Sequence, residues 1–537
     1  MRLSRITISN HRRLVDVSIE VRKHLVLVGP NDVGKSSLLR CLDLLLGAST
    51  AQLYAHLGPE DFRDPDQPLV IEAELIEFSP ADQGLFPDEI SINPVTGEAR
   101  LLVRLAASID ASRTLSVERT APGGGTGRQL SREQLAGFGW KLLTATASSR
   151  DLKDHRRTVV HDILQSIDLG PEQADFDLLT DAIQENLRTS TILGGLREDL
   201  AGQLSRALPE VVKKDDLVFI SGAAAENDPL SDVRLQIAKD GEQKNLTEQS
   251  DGMRALYAIA LYDLVSVGAN MVGIDEPELH LHPTSQRALA RLLQSGPNQK
   301  LLATHSSDIV GAFEPECIVA VRAGGKLVQP AEAFLSDDER MTVRWWVRDK
   351  LEPLTALRVI GVEGISDRII LERVSDITDR NLDRLGVSLI ETGGAGDMGA
   401  IIKLFGESGF NIPMSMLIDA DAIKDTANKL AVAEADLSKH SVWVSTPDLE
   451  AEYVAALGAA AVWAALSRSS LFTANELSVC AVTGPEGSRT DQDVAGFCRS
   501  KSKVKVKAAM VIAPLLNEKT ARKINSIDKL LTAIAVI

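Results

Sequence analysis

Residues 25 to 39, Leu-Val-Leu-Val-Gly-Pro-Asn-Asp-Val-Gly-Lys-Ser-Ser-Leu-Leu, constrain the fold more than any other stretch of the chain. Four apolar residues read as a buried strand, Gly29 to Gly34 as a tight loop, and Lys35 onward as an apolar helix, an α/β arrangement. Gly29, Gly34, Lys35 and Ser36 match G-x-x-x-x-G-K-[ST], whose backbone N–H groups and helix N-terminus cradle phosphates. The lysine brings a point charge toward β- and γ-phosphates, and the Ser36 hydroxyl can complete an octahedral Mg²⁺ shell. Asn31 and Ser37 lie in the same loop and join Gly34, Lys35 and Ser36 as nucleotide-binding candidates.

A chain of 537 residues has room for about three or four domains of about 150 residues each, so this loop serves one part of a larger protein. No run of about 18 uncharged apolar residues occurs, and Met-Arg-Leu-Ser-Arg lacks a signal-peptide core, so no membrane partner and a cytoplasmic location are expected. Cys41, Cys317, Cys480 and Cys498 are widely scattered, which suits reduced thiols and matches no zinc spacing. The net charge of -17 argues against a protein that coats nucleic acid with its whole surface. From Arg499 onward, however, nine Lys or Arg stand against Glu518 and Asp528, an excess that suits either a phosphate backbone or the protection of a strand edge.

Alternating apolar residues at 3–10 and 14–21 predict two strands before the loop, and 69–78, 99–109 and 114–119 predict three more after the helix. Asp61 lies in the connection, where related ATPases place a metal-contacting polar residue; a solvated loop aspartate is the alternative. From 131 to 209 the texture becomes helical, with Leu179, Ile183 and Leu187, then Leu193, Leu196, Leu200 and Leu204, three or four apart. Either a dimerising insertion or an ordinary helical layer fits. We therefore expect an N-terminal ATPase part at 1–130, a helical insertion at 131–215, the ATPase remainder at 216–335, a linker at 336–356 and a further domain at 357–537.

The remainder carries the second half of a nucleotide site. Ser250-Asp-Gly252 opens an apolar helix, so a hydroxyl and backbone N–H groups point out of a helix N-terminus. Asp275 and Glu276 end an apolar strand, the first placed to hold Mg²⁺ and the second to orient or deprotonate water. His305 ends the next apolar strand as a γ-phosphate sensor. These blocks, in this order, resemble the phosphate loop, signature, Walker B with D-loop, and switch histidine of ATP-binding-cassette ATPases. The short signature is similar to that of chromosome-maintenance and DNA-repair members. The resemblance implies ATP with one Mg²⁺, sandwiched between two heads, and hence a homodimer or larger homo-oligomer.

In the last third, Glu363 ends a strand, Gly364 makes a turn and Asp367 opens a helix; Asp419 and Asp421 follow another apolar strand, and Pro447-Asp-Leu-Glu adds Asp448 and Glu450. Carboxylates at adjacent strand ends repel without cations, and an oxygen-rich set of this kind suits Mg²⁺ or Mn²⁺. Glu363-Gly364, the 392–396 glycine loop and Asp419-x-Asp421 resemble a Toprim domain, and Val362-Glu-Gly-Ile-Ser-Asp resembles the Toprim of overcoming-lysogenization-defect nucleases, the family that includes the ATPase subunit of Gabija systems. The resemblance covers nearly the whole chain. It implies an α/β protein, an ATP-binding-cassette head with a helical insertion followed by a Rossmann-like Toprim domain, cleaving DNA with two cations. Glu363, Asp367, Asp419, Asp421, Asp448 and Glu450 are the metal candidates; Glu276, His305, Glu363 and Asp419 are catalytic candidates. A late lysine is expected to stabilise the phosphate, Lys507 being preferred over Lys505 because an alanine-rich helical segment follows it. The implied role is defence against phage or foreign DNA, with a helicase as a further partner. A DNA-repair clamp ATPase and a nucleotide-sensing regulatory subunit remain the alternative readings.

Overall fold

The computed structural model describes residues 1–95, 97–110, 113–124, 129–144, 169–195, 198, 213–216, 236–239, 242–245, 270–279, 281–296, 298–339, 352–392 and 398–535. Strands in the first half are β1 (Arg2–Ser9), β2 (Val17–Glu20), β3 (Leu25–Val28), β4 (Leu69–Ile76), β5 (Ser91–Ile92), β6 (Ala99–Ile109), β7 (Leu115–Thr120) and β8 (Trp140–Thr144). There follow a hairpin of β9 (Gln236–Lys239) and β10 (Glu242–Asn245), then β11 (Met271–Asp275), β12 (Gln299–Thr304), β13 (Ile318–Arg322) and β14 (Lys326–Val328). The last third adds β15 (Arg358–Val362), β16 (Val387–Glu391), β17 (Met414–Asp419) and β18 (Val442–Ser445).

Two sheets build the ATPase head. An antiparallel sheet of order β2-β1-β4-β6-β5, with β7 on β6, has alternately buried residues along β4, as expected of a sheet with one face on the core. The second sheet, β14-β13-β3-β12-β11-β8, is parallel except for β14; β3 and β12 are buried throughout, so β3 reads as a continuous apolar run and β12 as an apolar middle, Leu301–Ala303, between buried polar residues. The Lys35–Leu46 helix buries Leu38, Leu39, Leu42 and Leu45 between these sheets, so the phosphate loop hangs from the centre of the head.

Two expected boundaries move. Trp140–Thr144 pairs in parallel with β11 as the edge strand of the ATPase sheet, and its indole N–H donates to Asp43 Oδ1 (2.9 Å), so an insertion cannot begin at 131. A short apolar strand cannot be told from a piece of buried helix by periodicity alone. At the end of the expected 336–356 linker, the Glu352–Thr355 helix buries Pro353 and Leu354; residues 340–351 lie outside the described residues. A helix does span Gln173–Thr189, carrying Leu179, Ile183 and Leu187; Leu196, Leu200, Leu204 and the signature Ser250 to Gly252 lie outside the described residues, as does the 393–396 glycine loop.

The C-terminal domain is a wholly parallel sheet, β16-β15-β17-β18, flanked by helices including Ile365–Ile377, Leu449–Leu457, Ser502–Ile512 and Asn525–Ala535. One apolar cluster crosses into it from the head, joining Val26, Ile274, Ile309 and Phe313 to Leu354, Val359, Leu404 and Phe410. Arg322 of β13 adds hydrogen bonds to the carbonyls of Phe410 and Asn411.

Candidate functional site

Parallel strands bring the ATPase motifs to one edge. The loop after β3 turns through left-handed backbone at Asp32 (φ 62°) and Gly34 (φ 111°); a Cβ on Gly34 would stand 2.7 Å from Leu14 Cδ2. Only glycine fits there. The Lys35 ammonium donates to the carbonyls of Gly29 (3.1 Å) and Pro30 (2.7 Å), and burial lowers its pKa against the pull of Glu276, Asp275 and Glu278. Ser36 Oγ donates to Asp275 Oδ1 (3.0 Å), which joins the loop to the end of β11, and burial raises the Asp275 pKa. Asn31, Gly34, Lys35, Ser36, Ser37 and Glu276 line one cavity of about 200 Å³. His305 follows β12; burial and then Lys35 lower its pKa, while Glu276 raises it, so these three groups share one field.

Two residues of this site were not among the candidates. Arg13 lines the cavity and is paired with Asp32 (2.8 Å). Glu278 accepts from Thr304 Oγ1 (2.7 Å) and from the His305 N–H, and so fixes the end of β12 against the turn after β11. Its position two residues past Glu276 was the available signal. Asp61 instead closes its own turn, accepting from the Gly58 N–H (3.0 Å).

The second cluster lies at the C-terminal ends of β15, β17 and β18. Glu363, Asp419 and Asp421 each present an oxygen within 4.8 Å of the others, and the Asp419 N–H donates to Glu363 Oε1 (2.9 Å). Asp367 caps its helix through the Gly364 N–H (3.0 Å), and Asp419 Oδ1 accepts from the Leu449 N–H (3.0 Å). Glu450 is 1% exposed, and its Oε2 has no hydrogen-bond partner among the described residues. Burial pushes Asp367 and Asp419 up to about 6 and Glu450 up to about 7, and raises Glu363 as well.

One lysine meets this charge, and it is Lys505: its Nζ lies 3.5 Å from Asp419 Oδ2 and 3.5 Å from Glu450 Oε2. Burial opposes the ammonium, but Glu450, Asp419, Asp367 and Glu363 together raise its pKa. Lys507, preferred on sequence, donates instead to Glu476 Oε1 (2.7 Å) and lies over Phe472, because the Ser502–Ile512 helix already includes both lysines and two residues along a helix face different ways. Asp448 caps the Leu449–Leu457 helix through the Ala451 N–H (2.8 Å) and is bonded to Arg499, so its oxygens are engaged away from the trio.

Three converging carboxylates, with a buried Glu450 oxygen that has no hydrogen bond and faces the same lysine as Asp419, are a donor set that fits divalent cations. Residues 25–311 match the family described as "AAA domain, putative AbiEii toxin, Type IV TA system", and residues 354–421 match "Overcoming lysogenization defect protein-like, TOPRIM domain". The OLD nuclease of Thermus scotoductus (strain ATCC 700910 / SA-01) is 24% identical over 452 residues, 78% of this chain and 82% of that protein. Endonuclease GajA of Bacillus cereus (strain VD045) is 25% identical over 40% of this chain and 38% of its own length. Among solved structures, the C-terminal region of the Burkholderia pseudomallei OLD protein is 24% identical, covers 34% of this chain and 98% of its own, and gives a TM-score of 0.28.

Proposed function

We propose, for a chain that belongs to this AAA-domain family and carries an overcoming-lysogenization-defect-like TOPRIM domain, that it is an ATP-dependent, metal-dependent DNA endonuclease. The observation that carries the reading is the convergence of Glu363, Asp419 and Asp421 with Lys505 and Glu450 beside them. Two divalent cations, Mg²⁺ or Mn²⁺, would supply an activated water and charge neutralisation of the leaving oxygen when bound. Glu363, Asp419 and Asp421 would hold one, and Asp367 and Glu450 would close the other side. Asp419 is kept in position by its bonds to Glu363 and Leu449, so its second oxygen, which faces Lys505, is aimed rather than mobile. Lys505, held charged by the carboxylates, can donate to a phosphate oxygen and offset the charge that builds there.

At the head, Lys35 and the loop N–H groups would bind the β- and γ-phosphates of ATP, Ser36 and Asp275 its Mg²⁺, and Glu276 the attacking water. His305, oriented by Glu278, would sense the γ-phosphate. Ser250 and Gly252 would act on ATP held by a second copy, so the working unit is a homodimer or larger. A defensive role against foreign DNA follows from the family resemblance.

The test is supercoiled-plasmid nicking in Mg²⁺ or Mn²⁺, read beside phosphate release on the same preparations. Asp419→Ala is expected to lower nicking on the order of a thousandfold while ATP hydrolysis survives. Glu276→Gln reverses the pattern. Nicking by Asp419→Ala at the wild-type rate across metal concentrations would leave a repair-clamp ATPase in its place.

A further inference from the structure

The basic excess after residue 498 is only partly used by the cluster. Arg499 is paired with Asp448, Lys505 faces Asp419 and Glu450, Lys507 is bonded to Glu476, and Arg522 to Glu518. Lys523 and Lys529 are exposed, and among the described residues neither ammonium has an ion pair or hydrogen bond. Both line one open cavity of about 860 Å³, together with Arg499, Trp443, Gln492 and Asn525. Trp443 Nε1 is buried without a hydrogen-bond partner, which leaves a donor unused at the wall.

Most acids of that wall are already engaged. Glu452 accepts from the N–H groups of Thr446 and Ser526 and from the Ser526 hydroxyl, and Asp491 accepts from the Ala459 N–H. With Glu434 the lining has three carboxylates against Arg499, Lys523 and Lys529, and of these cations the two lysines have no partner among the described residues. None of the metal candidates lines the cavity, but the Ala420 N–H, between Asp419 and Asp421, donates to the carbonyl of Pro447 on its wall (3.2 Å). Pro447 on its wall immediately precedes Asp448, Ile423 follows Asp421 by two positions, and Arg499 lines it while holding Asp448.

We propose that this cavity is the path of one nucleic-acid strand beside the metal cluster, its phosphates held by Lys523 and Lys529. The inference rests on the nuclease reading above. A phosphodiester strand offers acceptor oxygens and regular negative charge but no phosphate donors, which complements a wall of spare ammonium, indole and amide N–H groups. A space of this volume corresponds to a cube about 10 Å on edge, smaller than the ~12 Å major groove of a duplex, so it admits one strand.

The experiment is an anisotropy titration of a labelled single-stranded oligonucleotide against the full chain in EDTA, where cleavage cannot occur, over a series of salt concentrations. In the double variant Lys523→Gln/Lys529→Gln, affinity is expected to fall about tenfold at 0.1 M salt, and the slope of log affinity on log salt to become shallower by about 1.4. The control Lys326→Gln/Lys519→Gln removes the same charge from exposed lysines outside the cavity and is expected to bind as wild type does. ATP hydrolysis and a normal melting curve identify folded protein in both. If Lys523→Gln/Lys529→Gln binds like wild type, or loses no more than the control, the cavity inference is overturned while plasmid nicking by wild type keeps the nuclease reading. If wild type neither binds nor nicks DNA, the nuclease reading itself falls.

Discussion

The two late lysines show what a single position decides. Lys505 and Lys507 share a helix and differ by two residues, yet one touches Asp419 and Glu450 and the other Glu476. Lys505→Met is predicted to lower nicking by about a hundredfold or more, since it removes a preorganised charge at the phosphate; Lys507→Met should stay within a few-fold, as plasmid nicking would show. The same carboxylates make a pH prediction. A carboxyl whose folded pKa is raised favours the fold while protonated, and that contribution is lost as pH rises through the folded pKa. With Asp367 and Asp419 at about 6 and Glu450 at about 7, the metal-free protein should lose stability as pH climbs through that window. Mg²⁺ should raise the melting temperature by about 3 °C or more above that window and hardly at all below it. Equal shifts on both sides would remove the cluster as the metal site. Of the pair Asp448 and Glu450, sequence spacing made both candidates; geometry turns Glu450 toward Lys505 beside Asp419 and binds Asp448 to Arg499.

At the scale of elements, the edge strand Trp140–Thr144 was hidden by its helical surroundings. Trp140 is 7% exposed, anchored on Asp43, and packed against the face of Gly273, where a Cβ would stand 2.8 Å from the ring. Trp140→Ala is therefore predicted to destabilise the head by about 3–5 kcal/mol, measured by denaturant unfolding, although it lies in no ATP motif. A loss under about 1 kcal/mol would return the segment to insertion status. The strands β3, β11 and β12 were legible because parallel strands buried on both faces are apolar through their middles, and the residues proposed for catalysis fall where the chain leaves the sheet.

At the scale of the whole molecule, the head and the TOPRIM domain share an apolar cluster. Phe405, 1% exposed within it, belongs to the Met398–Phe405 helix, and the Ser307–Val310 helix that follows His305 contributes Ile309 and Val310. Phe405→Ala is predicted to cost about 3–5 kcal/mol and to lower the melting of both domains together, seen as one shifted endotherm in calorimetry. Two separate transitions with only the later domain affected would mean independent units. Assembly gives a further prediction: Lys35→Ala mixed with Gly252→Asp should recover part of the ATPase activity through dimers with one intact composite site. Absence of recovery despite subunit exchange would count against sites shared between copies.

The sequence by itself determined the chemistry of the two centres: a phosphate loop needs glycines and a lysine at fixed spacing, and a strand that ends in carboxylates announces itself by its apolar run. It also determined their order along the chain. What only the tertiary structure decided is which side chains meet across long separations, such as Glu278 with His305, Arg13 with the phosphate cavity, Arg499 with Asp448, and Lys505 with Asp419. Local pattern records the period of one element, whereas the facing of two elements depends on helix rotation and strand register, which no single stretch encodes.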